Sequence, residues 1–554
     1  MLLSLSLGLA ALAWMRPAFG APDDVCSLFG QRAAIVNNRL YFMGGNYSTE
    51  GLAAEVGDEP GEPAANLYHL ELDAQFPVEQ SIPASALGRQ PIHENETLAY
   101  NMAFTSTGVN RNRAIWTING TVYVFGGDYR TPITRIAAYD TAVGRWEEVE
   151  VAGGAFNIGQ RQNPLYASAP EAGFGFMLGG YDPMVSGMIR FDASNPDNLS
   201  WTNETLENGS SGIEVPNLYS GAMVYIPAGR QGMLIAFGGG NFSTGITEDG
   251  WAESASDWLT IYVYDIESHT WWAQQASGES PRYRLNFGTA VSASPDGSGF
   301  HITTYGGWLG GRTSRAYEDV YVLSIPAFVW VNATPTEPAP RVSAANSSYG
   351  RSILAGACHT YRGSQMIVLG GKMYNKAIEW WHGTCGDGFS PTRVLDLSTY
   401  EWRDTLDTEA EYRVPEVIYR SIAGNSEGLI GTIPAAGFAD PTLSSLLHER
   451  VSATATPSPS PEEDNDEPET ESTSSTNTGA IAGGVVGGVA GLTLVLAAGW
   501  FLIRKRKRQK LAELGAGEEP TSRKVAEERS TELQGGPLSE LGSDRSPMVC
   551  AELA

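Results

Sequence analysis

The sequence is poor in basic residues and in charge of any kind. It has 36 Lys and Arg against 63 Asp and Glu, a formal net charge of -27 over 554 residues, and only 18% of its residues are charged. Proteins that bind DNA or RNA gain much of their affinity by pairing phosphates with Lys and Arg, which excludes nucleic acid as a partner here. The acidic surface suits neutral or cationic partners, although solubility alone also explains it.

Residues that carry common chemistries are also scarce. The 7 histidines include no pair at metal-ligand spacing. The chain shows no nucleophile elbow, no phosphate-binding glycine loop and no sialidase Asp box. Catalysis therefore has no positive support, and we predict no catalytic residue, no bound metal and no cofactor.

What the chain has is glycine and large aromatic residues. It contains 64 Gly, 23 Tyr and 14 Trp, and 42% of its residues are hydrophobic. Many glycines and aromatics with modest charge are typical of short strands joined by tight turns rather than of helical bundles. We therefore predict an all-β protein.

The N-terminus has the pattern of a secretory signal. An uncharged apolar run from Leu2 to Trp14 is followed by Ala18 and Gly20, small residues at the positions that a signal peptidase inspects. We predict that residues 1–20 are a signal peptide and that the mature chain begins near Ala21; a retained membrane anchor is the alternative.

A second apolar segment, residues 480–503, contains no charged side chain. As a helix it would be about 36 Å long, enough to cross a hydrocarbon layer of about 30 Å. The basic run from Arg504 to Lys510 keeps the following tail in the cytosol, because moving cations across a bilayer is costly. Small-xxx-small spacings in this helix favour a homodimer, although glycine can also simply fill a permissive helix; these positions are Gly483, Gly487 and Gly491.

The segments beside the membrane helix have compositions typical of disorder. Residues 451–479 are rich in Ser, Thr, Pro and acid with no apolar period, which predicts an O-glycosylated stalk. Residues 504–554 are polar and are predicted to be a disordered tail for anchoring or signalling. The order predicts a single-pass plasma membrane protein with its N-terminus and residues 21–450 outside; an internal secretory membrane is the alternative.

The predicted ectodomain repeats. Six apolar strands each run into a glycine doublet, about 50–80 residues apart, and the doublets end at Gly45, Gly127, Gly180, Gly239, Gly307 and Gly371. After five of them comes a second strand and then a tryptophan; the pairs are Tyr139 with Trp146, Phe191 with Trp201, Tyr264 with Trp271, Leu323 with Trp330 and Leu395 with Trp402. The first unit, with Leu72-Asp73, has no such tryptophan.

This pattern resembles the kelch repeat, over roughly residues 32–406. The resemblance implies a kelch-type β-propeller, most simply of six blades near 32–80, 113–151, 166–206, 219–275, 287–332 and 353–406. The segment Val414–Gly431 with the stalk and helix after it resembles the ending of fungal secreted kelch-type proteins. It is expected to pack on the ring, or to be a degenerate seventh blade.

The loops of such a ring sort onto two faces. In an antiparallel meander of strands a to d, the a–b and c–d turns share one face, and the b–c and d–a loops share the other. The first class is short, and the second includes 46–65, 81–112, 240–257, 333–352 and 372–391. These long loops carry aromatic side chains suited to sugars or to protein hot spots; the candidates are Trp251, Trp258, Trp308, Tyr374, Trp380 and Trp381.

Cysteines and glycosylation sequons agree with a secreted domain. Three of the 4 cysteines lie in the predicted exterior, and we predict a disulfide from Cys358 to Cys385, with pairing of Cys26 to blade 6 as the rival. N-glycosylation is predicted at the nine sequons Asn46, Asn95, Asn119, Asn198, Asn203, Asn208, Asn241, Asn332 and Asn346.

The predicted function is a non-catalytic surface protein that binds an extracellular protein or a cell-wall polysaccharide through its long-loop face. Kelch-type propellers also form the centre of galactose oxidase, so a copper-radical oxidase is one alternative and a carbohydrate-binding lectin is another. The oxidase would need two His and two Tyr ligands and further domains, and too little sequence follows the sixth repeat to supply the latter.

Overall fold

Six antiparallel sheets follow one another along the chain in a computed structural model of the protein. The structure describes residues 24–44, 46–49, 66–78, 81–91, 114–125, 135–153, 163–180, 187–204, 213, 217–241, 256–309, 315–337, 349–352, 358–375, 380–382, 391–430 and 433–451. The first strand of each sheet contacts the first strand of the next, and the sixth sheet contacts the first. The sheets are therefore the blades of a closed six-bladed β-propeller, which confirms the predicted fold.

Each blade has four strands, lettered a to d from the axis outward. The strands of blade 1 are Arg32–Val36, Arg39–Met43, Asn66–Glu71 and Gly88–Pro91. Those of blade 2 are Ala114–Ile118, Thr121–Phe125, Arg135–Asp140 and Arg145–Glu150. Those of blade 3 are Leu165–Ala169, Phe174–Leu178, Met188–Asp192 and Ser200–Asn203. The strands of blade 4 are Ala222–Ile226, Met233–Phe237, Thr260–Asp265 and Thr270–Gln275. Those of blade 5 are Gly288–Ala293, Phe300–Tyr305, Val320–Ile325 and Val329–Asn332. Those of blade 6 are Cys358–Tyr361, Gln365–Leu369, Thr392–Asp396 and Glu401–Arg403. Ser277–Gly278 adds a parallel fifth strand at the edge of blade 5.

The repeated tryptophans join neighbouring blades. Each lies directly across the c–d hairpin from its strand c partner; the pairs are Trp146 with Tyr139, Trp201 with Phe191, Trp271 with Tyr264, Trp330 with Leu323 and Trp402 with Leu395. Trp330 shows the role best, since it is buried against Phe237 of blade 4 and its Nε1 donates to the carbonyl oxygen of Trp258 at 2.9 Å. No blade covers its own faces, so these contacts hold the ring together.

Blade 1 is longer than the repeat pattern predicts. The pattern ends it near residue 80, whereas its strand d is Gly88–Pro91, inside a stretch predicted as a long loop. The extra length of the c–d connection brings Phe76, Val78 and Ile82 into the gap between blades 1 and 6. Three smaller apolar side chains thus fill the space that one tryptophan fills elsewhere in the ring.

The ring closes by direct packing of blade 6 on blade 1. The four strands of blade 1 all come from the N-terminal end of the domain, and those of blade 6 all come from its C-terminal end. The Tyr361 hydroxyl donates to Asn38 Oδ1 at 3.0 Å, and Gln31 Nε2 donates to the carbonyl oxygen of Leu369 at 2.7 Å. The Thr392 hydroxyl donates to the carbonyl oxygen of Pro77. Closure therefore depends on tertiary contacts between residues more than 280 positions apart.

Two short helices follow blade 6, α1 at Glu416–Ile422 and α2 at Pro441–His448, with a small hairpin of Gly424–Asn425 and Gly428–Leu429 after α1. Both helices bury leucine or isoleucine side chains in the cores between blades 4 and 6. The segment after blade 6 therefore packs on the ring, as predicted, and it is not a seventh blade.

Within the residues that the structure describes, no helix is long and apolar enough to cross a membrane. The predicted signal peptide, the membrane helix at 480–503, the tail and all of the stalk after Val451 lie outside those residues.

Candidate binding face

The connections between strands sort by length onto two faces of the ring. The a–b and c–d turns are short, as at Asn37-Asn38 and 141–144, except for the c–d connection of blade 1. The b–c and d–a connections are long, as at 238–259 and 370–391. Because the strands alternate in direction, the short connections share one face, here called the short-turn face, and the long ones share the opposite long-loop face. The predicted sorting of the loops is confirmed.

Small sheets stand on the long-loop face. Gly238 and Gly239 have φ angles of 67° and 71°, and beyond them the chain continues as Gly240–Asn241, paired with Leu218–Tyr219 ahead of strand a. The same arrangement recurs in other blades; it pairs Asn46–Thr49 with Val25–Phe29 and Lys372–Asn375 with Tyr349–Ser352. The doublets bend the strands at positions that favour glycine and so build a second layer over this face.

The same doublets also connect neighbouring blades. The Gly180 N–H of blade 3 donates to the carbonyl oxygen of Leu218, which leads into blade 4, at 2.9 Å. A Cβ atom on Gly179 would collide with that carbonyl group. The repeated glycines therefore serve both the long-loop face and the contact between blades.

The short-turn face is partly covered by the segment after blade 6. The Leu429 N–H donates to Ser298 Oγ in the a–b turn of blade 5 at 2.7 Å. The Gly229 N–H, in the a–b turn of blade 4, donates to the carbonyl oxygen of Leu446 at 2.9 Å. Val451, the last residue described, donates its N–H to the Pro227 carbonyl oxygen at 3.4 Å and so lies on this face.

Two predicted glycosylation sites lie on the uncovered part of the short-turn face. Asn119 is exposed in the a–b turn of blade 2, and Asn198 is exposed in the c–d turn of blade 3. Asn332 is exposed at the end of strand d in blade 5, whereas Asn203 and Asn241 are half-buried. Asn46 lies in a strand whose side chains are not described; Asn95, Asn208 and Asn346 lie outside the described residues.

A cavity of about 440 Å³ lies on the axis, lined by strand a of all six blades. Its lining is mostly small and apolar, and among the residues that form it His359 is the one acidic or basic side chain. Two of its hydroxyl groups join neighbouring blades, because Ser168 Oγ accepts from the Thr117 N–H at 3.1 Å and Thr360 Oγ1 accepts from the Val291 N–H at 2.6 Å. The cavity is therefore the central channel of the ring, and its lining lacks the cluster of converging polar groups that a ligand site usually has.

Trp258, predicted to face a ligand, is instead part of the core. It is 4% exposed and packs against Phe237, Phe287 and Trp330, with ring centroids 6.0, 4.8 and 5.6 Å away. The prediction is wrong for this residue because the end of the b–c connection folds inward and fills the gap between blades 4 and 5.

The other predicted aromatic residues lie on the long-loop face or outside the described residues. Trp308 is half-buried in Trp308–Leu309, and its N–H and carbonyl group both pair with the backbone of Leu285. In the small sheet of blade 6, Tyr374 lies opposite Trp381, and Trp380 lies next to it in the same strand. Trp251 lies outside the described residues.

The predicted disulfide between Cys358 and Cys385 is wrong. Cys26 is disulfide-bonded, whereas Cys358 is a buried thiol on strand a of blade 6. The chain has four cysteines, and the other two, Cys385 and Cys550, lie outside the described residues. The physical reason is position, since the Cys358 side chain packs toward Gly288 of blade 5.

The described histidines are dispersed. His69, His269, His301 and His359 lie in four different blades, and no group of three or more His, Cys, Asp or Glu within the described residues could hold a metal ion. His301 is fully buried between two hydroxyl groups, since Ser294 Oγ and Ser324 Oγ lie 3.2 and 3.1 Å from its ring nitrogens. Burial lowers the pKa of His301 to about 3, which keeps the ring neutral.

A buried carboxylate joins blades 3 and 4. Glu204 Oε2 lies 2.7 Å from His269 Nδ1 and accepts from the Tyr264 hydroxyl at 2.9 Å, and Glu204 Oε1 lies 3.2 Å from Arg190 Nε. Desolvation and the adjacent Glu204 charge raise the pKa of Tyr264. The cluster pairs a buried charge with nearby donors, as a structural ion pair requires, and sequence reasoning gave no sign of it because its members come from distant segments.

Two fully buried arginines, Arg284 and Arg393, also escaped the sequence reasoning. Arg284 is paired with Asp319, with its Nη2 3.1 Å from Oδ2, and it also donates to the carbonyl oxygens of Gly306 and Arg282. Each arginine lies near the start of a strand, where a basic residue in the sequence looks like an ordinary solvated side chain.

The chain is similar to a curated protein and, at low identity, to a solved structure. No protein-family model matches the chain. The chain is 24% identical over 498 aligned residues to a "Kelch repeat-containing protein" of Arthroderma benhamiae, with 77% of this chain and 67% of that protein covered. A solved structure described as "Structure of YjhT" is 12% identical, with a TM-score of 0.37, and the match covers 68% of this chain and 97% of that one.

The fold therefore defines the class, a six-bladed β-propeller. The repeat pattern and the similarity to a kelch repeat protein support a kelch-type propeller, a fold that suggests a scaffold for interactions.

Proposed function

We propose that the protein is a binding protein that engages an extracellular protein or a wall polysaccharide through its long-loop face. The observation that carries the proposal is the difference between the two faces. One face consists of short turns apart from the c–d connection of blade 1, whereas the other carries the long connections and the second layer of small sheets. Long loops on a rigid frame are where binding residues usually lie.

The state of the short-turn face supports this choice. The segment with α1 and α2 covers blades 4 to 6, and the predicted glycosylation sites Asn119 and Asn198 are exposed over blades 2 and 3. Val451, the last residue described, also lies on this face. A partner would therefore meet fewer obstacles at the long-loop face.

The predicted secretory signal, stalk and membrane helix support display of the propeller at a cell surface. On this proposal the aromatic residues of the long-loop face contact the partner, with Trp308, Tyr374, Trp380 and Trp381 as the first candidates. Aromatic rings contribute large contact areas in both sugar and protein recognition.

Proximity labelling and a glycan array test the proposal together. We expect a labelling enzyme fused near the N-terminus to mark a reproducible extracellular protein, or the purified full chain to bind a defined polysaccharide on the array. In either case, substitution of Trp308 by Ala should reduce the signal without changing the thermal unfolding midpoint by more than a few degrees. Copper bound stoichiometrically, together with peroxide release from sugars or alcohols, would contradict the proposal in favour of an oxidase.

A further inference from the structure

Arg284 lies at the base of the connection that carries Trp308 on the long-loop face. We call the described parts of this connection, 306–309 and 315–319, the blade 5 arm; residues 310–314 lie outside the described residues. The arm follows strand b of blade 5, pairs Trp308–Leu309 with Arg315–Ala316, and returns into strand c. Arg284 comes from a different segment, the d–a connection between blades 4 and 5, and is 1% exposed.

The Arg284 guanidinium group bonds both ends of the blade 5 arm. At the start of the arm, Nη1 donates to the carbonyl oxygen of Gly306 at 3.0 Å. At the end of the arm, Nη1 and Nη2 both donate to the Asp319 carboxylate, with Nη2 3.1 Å from Oδ2. The Tyr317 ring centroid lies 4.2 Å from Arg284 Cζ, and the Tyr317 N–H donates to the Gly307 carbonyl oxygen at 2.9 Å. One side chain therefore closes the base of the arm and joins its two ends.

These contacts determine where Trp308 lies. Leu285, the residue after Arg284, accepts from the Trp308 N–H at 3.0 Å and donates its own N–H to the Trp308 carbonyl oxygen at 2.8 Å. On its other side, Trp308 lies opposite Ala316 in the paired strands of the arm. The Trp308 side chain is half-buried and packs, like that of Tyr283, on a small apolar cluster that contains Leu285. A shift of the arm would therefore move the exposed part of the Trp308 ring.

A buried ion pair supplies more geometry than stability. Replacing both charges of such a pair by neutral side chains often leaves the stability of a protein unchanged or raises it, because the charges must be desolvated when they are buried. The guanidinium group is planar and its donors have fixed directions, so it holds carboxylate and carbonyl partners in one arrangement. The pair of Arg284 with Asp319 therefore fits a role in orienting the arm better than a role in holding the blades together.

We propose that Arg284 is a positioning residue of the binding face, which fixes the blade 5 arm and so holds Trp308 in the orientation that contacts the partner. The proposal rests on the proposed function, because it takes Trp308 as a contact residue. Binding through an arm that is already ordered avoids the entropy cost of ordering it in the complex. Loss of the Arg284 bonds should therefore weaken binding, although Arg284 itself does not touch the partner.

Hydrogen exchange of the full chain, followed by mass spectrometry of its peptides, tests the positioning without any ligand. We expect Arg284→Met to speed exchange of the Trp308 and Tyr317 amides at least about tenfold, because both amides are bonded at the base of the arm. Exchange in the strands of blades 1 to 3 should stay as in the natural protein. Unchanged exchange at both amides, or an equal increase in every blade, would overturn the proposal.

Further variants separate loosening of the arm from loss of the fold. Arg284→Lys keeps the charge but lacks the fork, so it should speed exchange in the arm nearly as much as Arg284→Met. Arg284→Met combined with Asp319→Asn removes the pair without leaving a charge unpaired, and natural exchange in the arm of this double variant would overturn the proposal. The matched control is Arg403→Met, which breaks a pair with Asp396 on the short-turn face, 2.7 Å long, and should leave exchange in the arm unchanged.

A comparison of single and double variants connects the arm to binding. For the protein or polysaccharide that the labelling and array measurements identify, Arg284→Met should weaken binding at least about fivefold. Arg284→Met combined with Trp308→Ala should bind no more weakly than Trp308→Ala alone, because both changes act through the same ring. Losses that add in the combined variant would overturn the proposal, since Arg284 would then act on binding by another route.

The outcomes distinguish the proposed function from the role of Arg284. Faster exchange in the arm of Arg284→Met, together with full binding by Trp308→Ala, would show that Arg284 orders the arm but would overturn both the contact role of Trp308 and the binding role of Arg284. Natural exchange in Arg284→Met, while Trp308→Ala loses binding, would remove the positioning role and leave the proposed function in place.

Discussion

The Gly371 N–H donates to the carbonyl oxygen of Leu28 at 2.8 Å and so joins the last blade of the ring to the segment that leads into the first. The same contact joins blades 3 and 4, from Gly180 to Leu218. The closing seam, which is the junction of blade 6 with blade 1, therefore uses the same contact that joins blades 3 and 4. It does so although it connects the two ends of the domain.

Glycine at position 370 should be necessary for this seam. Its φ is 68°, and an added Cβ would collide with the Leu28 carbonyl group. We expect Gly370→Ala to lower the free energy of unfolding by about 2 kcal/mol or more, measured by urea denaturation. Gly363→Ala is the matched control, since φ is 73° there and nothing lies within 4 Å of its Cβ position. It should cost only about 1 kcal/mol, and equal losses in the two variants would contradict the role of the seam contact.

Peptide mapping without reduction should find Cys26 linked to Cys385. Cys550, the other remaining candidate, lies in the tail that we predict to be cytosolic, where disulfides are rare. Because the bond would span most of the domain, Cys26→Ser should lower the free energy of unfolding by about 3–5 kcal/mol. The control Cys358→Ala removes a buried thiol and should cost clearly less. A peptide that links Cys26 to Cys358 would contradict the structure.

His301 should make the stability of the propeller depend on pH. Its pKa is lowered to about 3 in the folded state, against an ordinary value of 6.5. The unfolded chain therefore binds a proton first as the pH falls, and stability that is fully present above pH 6.5 is lost toward pH 3, by up to about 1.4 kcal/mol per pH unit. In denaturant titrations at pH 7 and pH 4.5, His301→Gln should show a smaller difference than the natural protein. Identical pH dependence in both proteins would contradict the assignment.

Trp258 should contribute to stability, as its burial between blades 4 and 5 indicates. Trp258→Ala is expected to lower the free energy of unfolding by about 3–5 kcal/mol, whereas Trp258→Phe should recover most of the loss. Calorimetric unfolding measures both. A Trp258→Ala variant that unfolds like the natural protein but loses partner binding would restore this residue to the binding face.

The blades of the ring could be predicted from the sequence in more detail than the residues of its binding face. The glycine doublets and the tryptophans recur at fixed points of each unit, so they reveal the blades and even the register of the c–d hairpins. Blade 1 departs from this rule because Phe76, Val78 and Ile82 replace the tryptophan at positions outside the repeat.

The details of the binding face depend on contacts between distant segments, which spacing does not record. Trp258 lies two residues before strand c, where a loop residue and a core residue look alike in the sequence. Arg284 and Arg393 look alike as well, and only the position of Asp319 in space separates the paired arginine from the other.

Site-specific photo-cross-linking on intact cells tests the central claim, that the long-loop face is the binding face. Benzoylphenylalanine would replace Trp308 on that face or Val143, which is 69% exposed in the c–d turn of blade 2 on the short-turn face. We expect irradiation to give a defined adduct with a surface protein or wall polysaccharide from position 308 and none from position 143. An adduct from position 143 alone would contradict the account.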